Sequence, residues 1–237
     1  LITYLASSGS ITAGQLLVHT SGRHGTEVFA PATALDAIGL AIHPAMTFTG
    51  LSMDLQRLNG TSFAVTGPAP FLPIAQALVV EMGGEPVHVA EADRALYHAA
   101  LAHASNHLVT ILAQSQQMLA SIGIEDPAHY MGPLVRAAVD NALASGEGAL
   151  TGPVARGDAG TVAAHMRALG EYAQGEKTGD ITDSYAALAH ATAKRAHNRG
   201  LLNDEQLERI ESLVEPSANV EYTGDTDDSA PENKEFS

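Results

Sequence analysis

Short apolar runs alternate with turn and helix signals over residues 10–90. Four of these runs contain β-branched residues and are bounded by Gly or Pro, as is typical of strands. They span residues 15–20, 40–43, 62–66 and 86–90. Between the last two, apolar residues recur at helical spacing from Ile74 to Met82, and Gly83 and Gly84 end the segment. Strands that alternate with helices predict βα units and a parallel or mixed sheet.

The pattern becomes wholly helical after Glu91. Residues 92–122 contain no Pro or Gly and predict one helix of about 45 Å. Further helices are predicted over residues 126–144, 161–169, 184–199 and 204–214. The predicted fold class is therefore α/β followed by all-α, with part of a sheet domain preceding a helical domain.

Charge separates a third segment from these two. Residues 216–237 contain six acidic residues, one lysine and almost no apolar residues, which is typical of a disordered tail. We accordingly predict a sheet domain over residues 1–90, a helical domain over 91–215 and a disordered acidic tail over 216–237. Because residue 1 is Leu and residues 1–9 resemble the end of a helix, we expect the sequence to be incomplete at its N-terminus.

Composition narrows the classes of partner. The 237 residues include 12 basic and 27 acidic side chains, for a net charge of -15, so the protein repels nucleic acid and anionic membrane surfaces. The chain has no Cys, which excludes disulfides, thiolate nucleophiles and Cys-ligated metals. With no secretory signal and no apolar run long enough to span a membrane, a cytoplasmic protein is expected.

Two polar turns follow the first two predicted strands, where α/β sheets bind their ligands. The first turn is formed by His19, Thr20, Ser21 and Gly22. The second contains His43, Met46 and Thr47, and Pro44 directs the chain away from the helical conformation at the histidine. His43 is thus placed to act as a general acid near neutral pH. The alternatives are a helix-capping turn and a structural histidine, and both stay open.

A polar stripe runs along the predicted long helix. Its members fall within one arc of the helical projection: His103, Asn106, His107, Thr110, Gln114 and Gln117. Such a stripe needs either a wet cleft or a polar contact between helices or subunits. His103 and His107 also have the spacing of two metal ligands, but no glutamate or third ligand accompanies them, so no metal site is predicted.

The Gly- and Pro-rich loop at residues 150–161 precedes another predicted helix. Its backbone amides and Arg156 could bind a carboxylate, together with the Thr151 hydroxyl. The alternative is a simple connection in which Asp158 or Thr161 caps the next helix. Asp158 stands where a phosphate-binding loop has Lys, which excludes a P-loop.

Six sequence strings together identify a resemblance. They are HTSGRHG, LAIHPAMTFTG, FAVTGPA, ALVVEMGGEP, YHAALAHASNHLVT and ALTGPVARGDAGTVAAH. In this order they resemble Rossmann-like proteins with a C-terminal helical domain of unknown function, within the 6-phosphogluconate dehydrogenase-like and ketopantoate reductase-like superfamily. The resemblance covers about residues 1–214. It implies that residues 1–90 are the C-terminal part of a dinucleotide-binding domain.

The resemblance also implies a function. We expect an NAD- or NADP-dependent reductase of a small keto or imino acid, with ketopantoate as one possibility, that forms homodimers through its helical domain. His19, Thr20, Ser21 and Gly22 are then expected to bind the cofactor. His103, Asn106 and His43 become the expected catalytic residues. Thr110, Thr151, Arg156, Met46 and Thr47 become the expected substrate-binding residues.

Two departures from the family pattern support a different hypothesis. The glycine-rich G-x-G-x-x-G loop that cradles the pyrophosphate does not occur in the sequence. Related hydroxyacid dehydrogenases place a lysine four residues before the helix asparagine, whereas here Ala102 precedes Asn106. The alternative function is therefore a non-catalytic dimeric binding or scaffold protein derived from this fold.

Overall fold

A computed structural model describes residues 1–176 and 179–215 of the chain. Two compact units are found, one of residues 1–113 and one that begins at Gln114. The predicted acidic tail, residues 216–237, lies outside the described residues. The predicted domain boundary at residues 90 and 91 stays a prediction.

A four-stranded mixed sheet forms the centre of the first unit. Its strands are β1 (Leu16–His19), β2 (Ile38–Pro44), β3 (Ser62–Thr66) and β4 (Glu85–His88), in that spatial order. β1 pairs parallel with β2, β2 antiparallel with β3, and β3 parallel with β4. His19 at the end of β1 pairs with Ala41, so β2 continues beyond its neighbour through His43 and Pro44.

Helices and single turns connect and flank these strands. They are α1 (Ile2–Ser7), α2 (Ala30–Thr33), α3 (Met53–Arg57), α4 (Leu72–Glu81) and α5 (Arg94–Ser121), with 3-10 turns at Thr26–Phe29, Ala69–Phe71 and Glu91–Asp93. β2 and β3 are buried along almost their whole length, which explains why their sequences are apolar runs without alternation. Leu40 and Val65 pack with Ala75 and Val79 of α4 in the main core cluster.

The second unit is helical. After the last turns of α5 it contains α6 (Pro127–Ser145), a 3-10 turn at Gly146–Ala149, α7 (Ala159–Glu176), α8 (Gly179–Asn198) and α9 (Asp204–Val214). Four alanines of α8 are buried in its core: Ala186, Ala189, Ala193 and Ala196. Small side chains let α8 approach the buried Val162 of α7 and Ile210 of α9 closely. No helix in residues 1–176 and 179–215 is long and apolar enough to cross a membrane.

Candidate functional site

A cleft of about 400 Å³ lies in the first unit, between the segment that follows β2 and one face of α5. This volume falls within the range of small-molecule sites. The end of β2 and the segment that follows it contribute His43, Ala45, Met46, Thr47 and Phe48 to the cleft lining. Helix α5 contributes His98, Leu101, Ala102, Ala104, Ser105 and Asn106. The lining combines an apolar wall with hydroxyl, amide and imidazole groups, which suits a small polar molecule with a carbon skeleton.

His43 is oriented by Tyr97, which lies one turn into α5. The Nδ1 atom of His43 is 2.8 Å from the Tyr97 hydroxyl oxygen, and the two rings are nearly perpendicular. Burial lowers the pKa of His43 below its ordinary value, and the nearby Arg94 and His98 lower it further. His43 is therefore neutral at pH 7, with Nδ1 engaged by Tyr97 and Nε2 left for exchange of a proton.

Gly22, in the turn after β1, lies directly against two imidazoles. A Cβ atom placed on Gly22 would be 2.6 Å from Cδ2 of His98 and 2.9 Å from Nε2 of His43. Any larger residue would displace these rings, so glycine at this position lets β1, β2 and α5 converge. Ring centroids of His43 and His98 are 6.2 Å apart.

Arg94, the first residue of α5, ties the helix to the sheet. Its side chain is only 1% exposed and donates to four oxygens: Thr66 Oγ1 at 2.8 Å, the Ala41 carbonyl at 2.9 Å, the Ala64 carbonyl at 3.1 Å and the Ser21 carbonyl at 3.3 Å. These acceptors belong to β2, β3 and the turn after β1. One guanidinium thus sets the position of α5, and with it Tyr97 and His98, against the strand ends.

Glu91 binds the short 3-10 turn that follows β1. Its carboxylate accepts from the Thr26 amide at 2.7 Å, from the Thr26 hydroxyl at 3.0 Å and from the Glu27 amide at 3.3 Å. Burial alone would raise the pKa of Glu91, but these hydrogen bonds and the Arg94 charge outweigh it and lower that pKa. Glu91 is ionised at neutral pH and connects residues 26 and 27 to the start of α5.

Comparisons with known proteins agree with the fold. The model of a family described as a domain of unknown function, DUF2520, matches residues 61–192, and a Rossmann-like domain matches residues 1–44. The chain belongs to the DUF2520 family. The predicted resemblance to Rossmann-like proteins with a C-terminal helical domain of unknown function is therefore confirmed, and so is the predicted order of a sheet region before a helical region. No curated protein matches the chain significantly.

Two solved structures resemble this DUF2520 protein. Protein TM1727 from Thermotoga maritima shares 28% identity at a TM-score of 0.60, over 76% of this chain and 69% of its own. BF3122 from Bacteroides fragilis, a candidate NADP oxidoreductase, shares 18% identity at a TM-score of 0.62, over 76% of this chain and 65% of its own. The second likeness shows the fold alone.

In the turn after β1, the amides of Thr26 and Glu27 are not free to bind the pyrophosphate of a dinucleotide. A pyrophosphate binds at free amides of a glycine-rich turn and a helix N-terminus. Here the amides of Thr26 and Glu27 donate to the Glu91 carboxylate, which would also repel phosphate. The His19 ring bonds the Gly25 carbonyl at 2.7 Å, and the Ser21 amide donates to the same ring. Among residues 19–22, Gly22 lies against His43 and His98. The role of these four residues in cofactor binding stays a prediction.

Several predicted residues of α5 do not line the cleft. Asn106 does, together with Ala102, the residue that replaces the lysine of related dehydrogenases. His103 is exposed and its Nδ1 lies 2.8 Å from Nδ1 of His107, while the Thr110 hydroxyl donates to the Asn106 carbonyl. The catalytic role of His103 and the substrate-binding role of Thr110 are untested predictions.

Gln114 and the predicted anion loop belong to the second unit. The Gln114 amide donates to the Asp180 carboxylate at 2.9 Å and to the Ser184 hydroxyl at 3.1 Å, a polar contact between helices. Asp158 accepts from the Thr161 amide and hydroxyl at the start of α7, which is the capping arrangement that the sequence left open.

The side chains predicted to bind substrate in this loop lie on its surface. Arg156 is exposed, and Thr151 lines a second cavity of about 300 Å³, which also contains the hydrogen-bonded pair His165 and Tyr185. The substrate-binding role of Thr151 and Arg156 stays a prediction.

Three residues of the site escaped prediction: Arg94, Tyr97 and His98. All lie in the first two turns of α5, before the polar stripe that begins at His103. A charged residue at the start of a long apolar helix was the available signal, since Arg94 is the only charged residue among residues 94–121. No sequence pattern, however, predicts that the Arg94 guanidinium binds carbonyl groups of three separate segments.

Proposed function

We propose that this DUF2520 protein is an NAD- or NADP-dependent oxidoreductase that reduces a small keto or imino acid, such as a ketopantoate-like substrate, with His43 exchanging the proton. The observation that carries this proposal is the position of His43. It lies at the carboxyl end of a strand in a Rossmann-like sheet, beside an open cleft, with Tyr97 on its Nδ1 atom. Ligands of such sheets bind at this position.

In this proposal a nicotinamide supplies the hydride when it is bound, and the chain supplies orientation and the proton. In its protonated form His43 donates the Nε2 proton to the oxygen or nitrogen of the reacting group and becomes neutral, while its Nδ1 stays hydrogen-bonded to Tyr97. The Asn106 amide and the Thr47 hydroxyl, which line the same cleft, hydrogen-bond the substrate. Met46 and Phe48 cover its carbon skeleton and exclude water.

A non-catalytic dimeric scaffold is the second candidate function. It is favoured by the engagement of the amides at residues 26 and 27 with Glu91, which leaves them unavailable to a phosphate. Homodimer formation and a cytoplasmic location are predictions that both functions share. The two functions differ in nucleotide binding, which only the oxidoreductase requires.

The experiment measures nucleotide binding and turnover by the full-length protein. Calorimetry with NADPH and NADH, followed by nucleotide oxidation in the presence of keto and imino acids, is expected to show binding and turnover. His43→Gln should lower kcat by about a hundredfold or more, because general acid catalysis supplies at least that factor. His129→Gln, at an exposed position of α6, is the matched control and should keep wild-type activity.

Absence of both nucleotide binding and turnover would reject the oxidoreductase and favour the scaffold alternative. Turnover that survives in His43→Gln would keep the oxidoreductase and reject the role of His43. The pH profile adds a check, because the pKa of His43 is lowered. The inflection that His43 causes in the plot of kcat/KM against pH should lie below pH 6.5. The charge of His98 disfavours protonation of His43, so His98→Gln should move this inflection to a higher pH.

A further inference from the structure

His103 and His107 form a close pair on α5 that the cleft does not use. They are one helical turn apart, both are exposed, and neither lines the cleft that contains Asn106. Their Nδ1 atoms are 2.8 Å apart and their rings are nearly perpendicular. Two imidazole nitrogens on the surface therefore lie within hydrogen-bond distance of each other.

This separation is slightly shorter than the one that a chelated metal ion requires. Imidazole nitrogens bind transition metals at about 2.0–2.1 Å, so two ligands at angles between 90° and 109° are about 2.9–3.4 Å apart. The Nδ1 atoms of His103 and His107 need to move by only a few tenths of an ångström to reach this range. A two-nitrogen hydrogen bond, by contrast, requires one ring to present a proton and the other a lone pair.

The surroundings favour a cation. Arg94 is the only charged residue of α5, and it is buried nine residues before His103, so no lysine or arginine of the helix repels a metal ion at the pair. Ala99, Ala100 and Ala104, which lie within one turn of the pair on α5, are small and leave space for water to complete the coordination. No third His, Asp or Glu joins the pair within residues 1–176 and 179–215.

We propose that His103 and His107 form a two-histidine chelate for a late first-row divalent cation, with water in the remaining positions. Imidazole ligands select such ions over Mg²⁺ or Ca²⁺, and Cu²⁺ binds such nitrogen sites more tightly than Zn²⁺. The bound ion links successive turns of α5. This site is independent of the proposed oxidoreductase function, because it shares no residue with the cleft.

The experiment titrates untagged full-length protein with Cu²⁺, Zn²⁺ and Mg²⁺ by calorimetry in a buffer that does not bind metals. Wild type and the control His129→Gln should bind one equivalent of Cu²⁺ with the highest affinity, Zn²⁺ more weakly and Mg²⁺ not at all. His103→Gln and His107→Gln should each weaken that Cu²⁺ site by at least about tenfold, because each removes the second arm of the chelate.

Thermal unfolding gives a second readout. Cu²⁺ should raise the Tm of wild type and His129→Gln more than that of either pair variant, because an ion that binds only the folded protein stabilises it. Copper affinities of both pair variants within about twofold of wild type would overturn the proposal. An equal loss in His129→Gln would also overturn it, by showing that the 11 histidines bind copper without selectivity.

Discussion

The hydroxyl of Tyr97 lies 2.8 Å from Nδ1 of His43, and this hydrogen bond joins the start of α5 to the end of β2. It fixes the direction of the imidazole beside the cleft and leaves Nε2 as the nitrogen that can exchange a proton. Burial raises the pKa of Tyr97, although the Arg94 charge lowers it in part, so the phenol stays neutral at physiological pH. Tyr97 is therefore a positioning residue that acts through His43.

Replacement of Tyr97 by Phe tests this relationship. Tyr97→Phe keeps the ring and removes the hydroxyl, so we expect kcat of the proposed reaction to fall by roughly tenfold while KM changes little, because only the orientation of the acid is lost. Steady-state kinetics of the full-length protein measure both values. Tyr130→Phe, at an exposed position of α6, is the control. A change in KM alone would contradict a role through His43.

Gly22→Ala should disturb the two imidazoles together. The added methyl group would lie within 3 Å of atoms of both His98 and His43, so the rings must move or the backbone must shift, at a cost of about 1–3 kcal/mol. We expect loss of most activity and a lowered Tm. Gly170→Ala, in α7, is the control because an added Cβ there meets no atom within 4 Å. Unchanged kinetics in Gly22→Ala would show that the imidazoles are not held by this contact.

Arg94→Met should destabilise the first unit strongly. The substitution keeps much of the aliphatic volume but leaves Thr66 Oγ1 and three carbonyl oxygens without their donor, which is expected to cost about 3 kcal/mol or more. Urea denaturation followed by circular dichroism measures the shift of the unfolding midpoint. Arg167→Met, at an exposed position of α7, should change the free energy of unfolding by less than about 0.5 kcal/mol. Equal midpoints for the two variants would exclude the proposed anchoring role.

Glu91→Gln should have an effect that depends on pH. The folded-state pKa of Glu91 is lower than its unfolded value, so its stabilisation is fully present above the unfolded pKa and is lost as pH falls through the folded one. At pH 7 the variant should be less stable than wild type by about 1 kcal/mol, a modest value because the side chain is only partly buried. The difference should shrink below about pH 4, where the wild-type carboxylate becomes protonated. A difference independent of pH would mean that the charge of Glu91 does not matter.

The spacing of apolar residues along the sequence was enough to locate the strands and most helices, because this spacing shows which face of an element is buried. It predicted β3 at its observed bounds, residues 62–66, and α9 at Asp204–Val214. It was wrong at the ends of α7 and α8, which run to Glu176 and start at Gly179. The predicted helix ended before Gly170, but a glycine inside a helix costs only about 1 kcal/mol, which tertiary packing outweighs. Ile181, outside the predicted α8, is buried and extends that helix towards its N-terminus.

The residues around the cleft likewise fall into those that the sequence could predict and those that it could not. His43, Met46, Thr47 and Asn106 could be proposed from sequence because a strand end and a polar helical stripe are local signals, and all four line the cleft. The cleft excludes His103, because the α5 face that carries Leu101, Ala102 and Ser105 is the one turned to the strand ends. That rotation is set by Arg94, whose four acceptors come from segments far apart in the chain. A helical period shows that two faces differ, but only long-range hydrogen bonds and packing decide which of them meets the sheet.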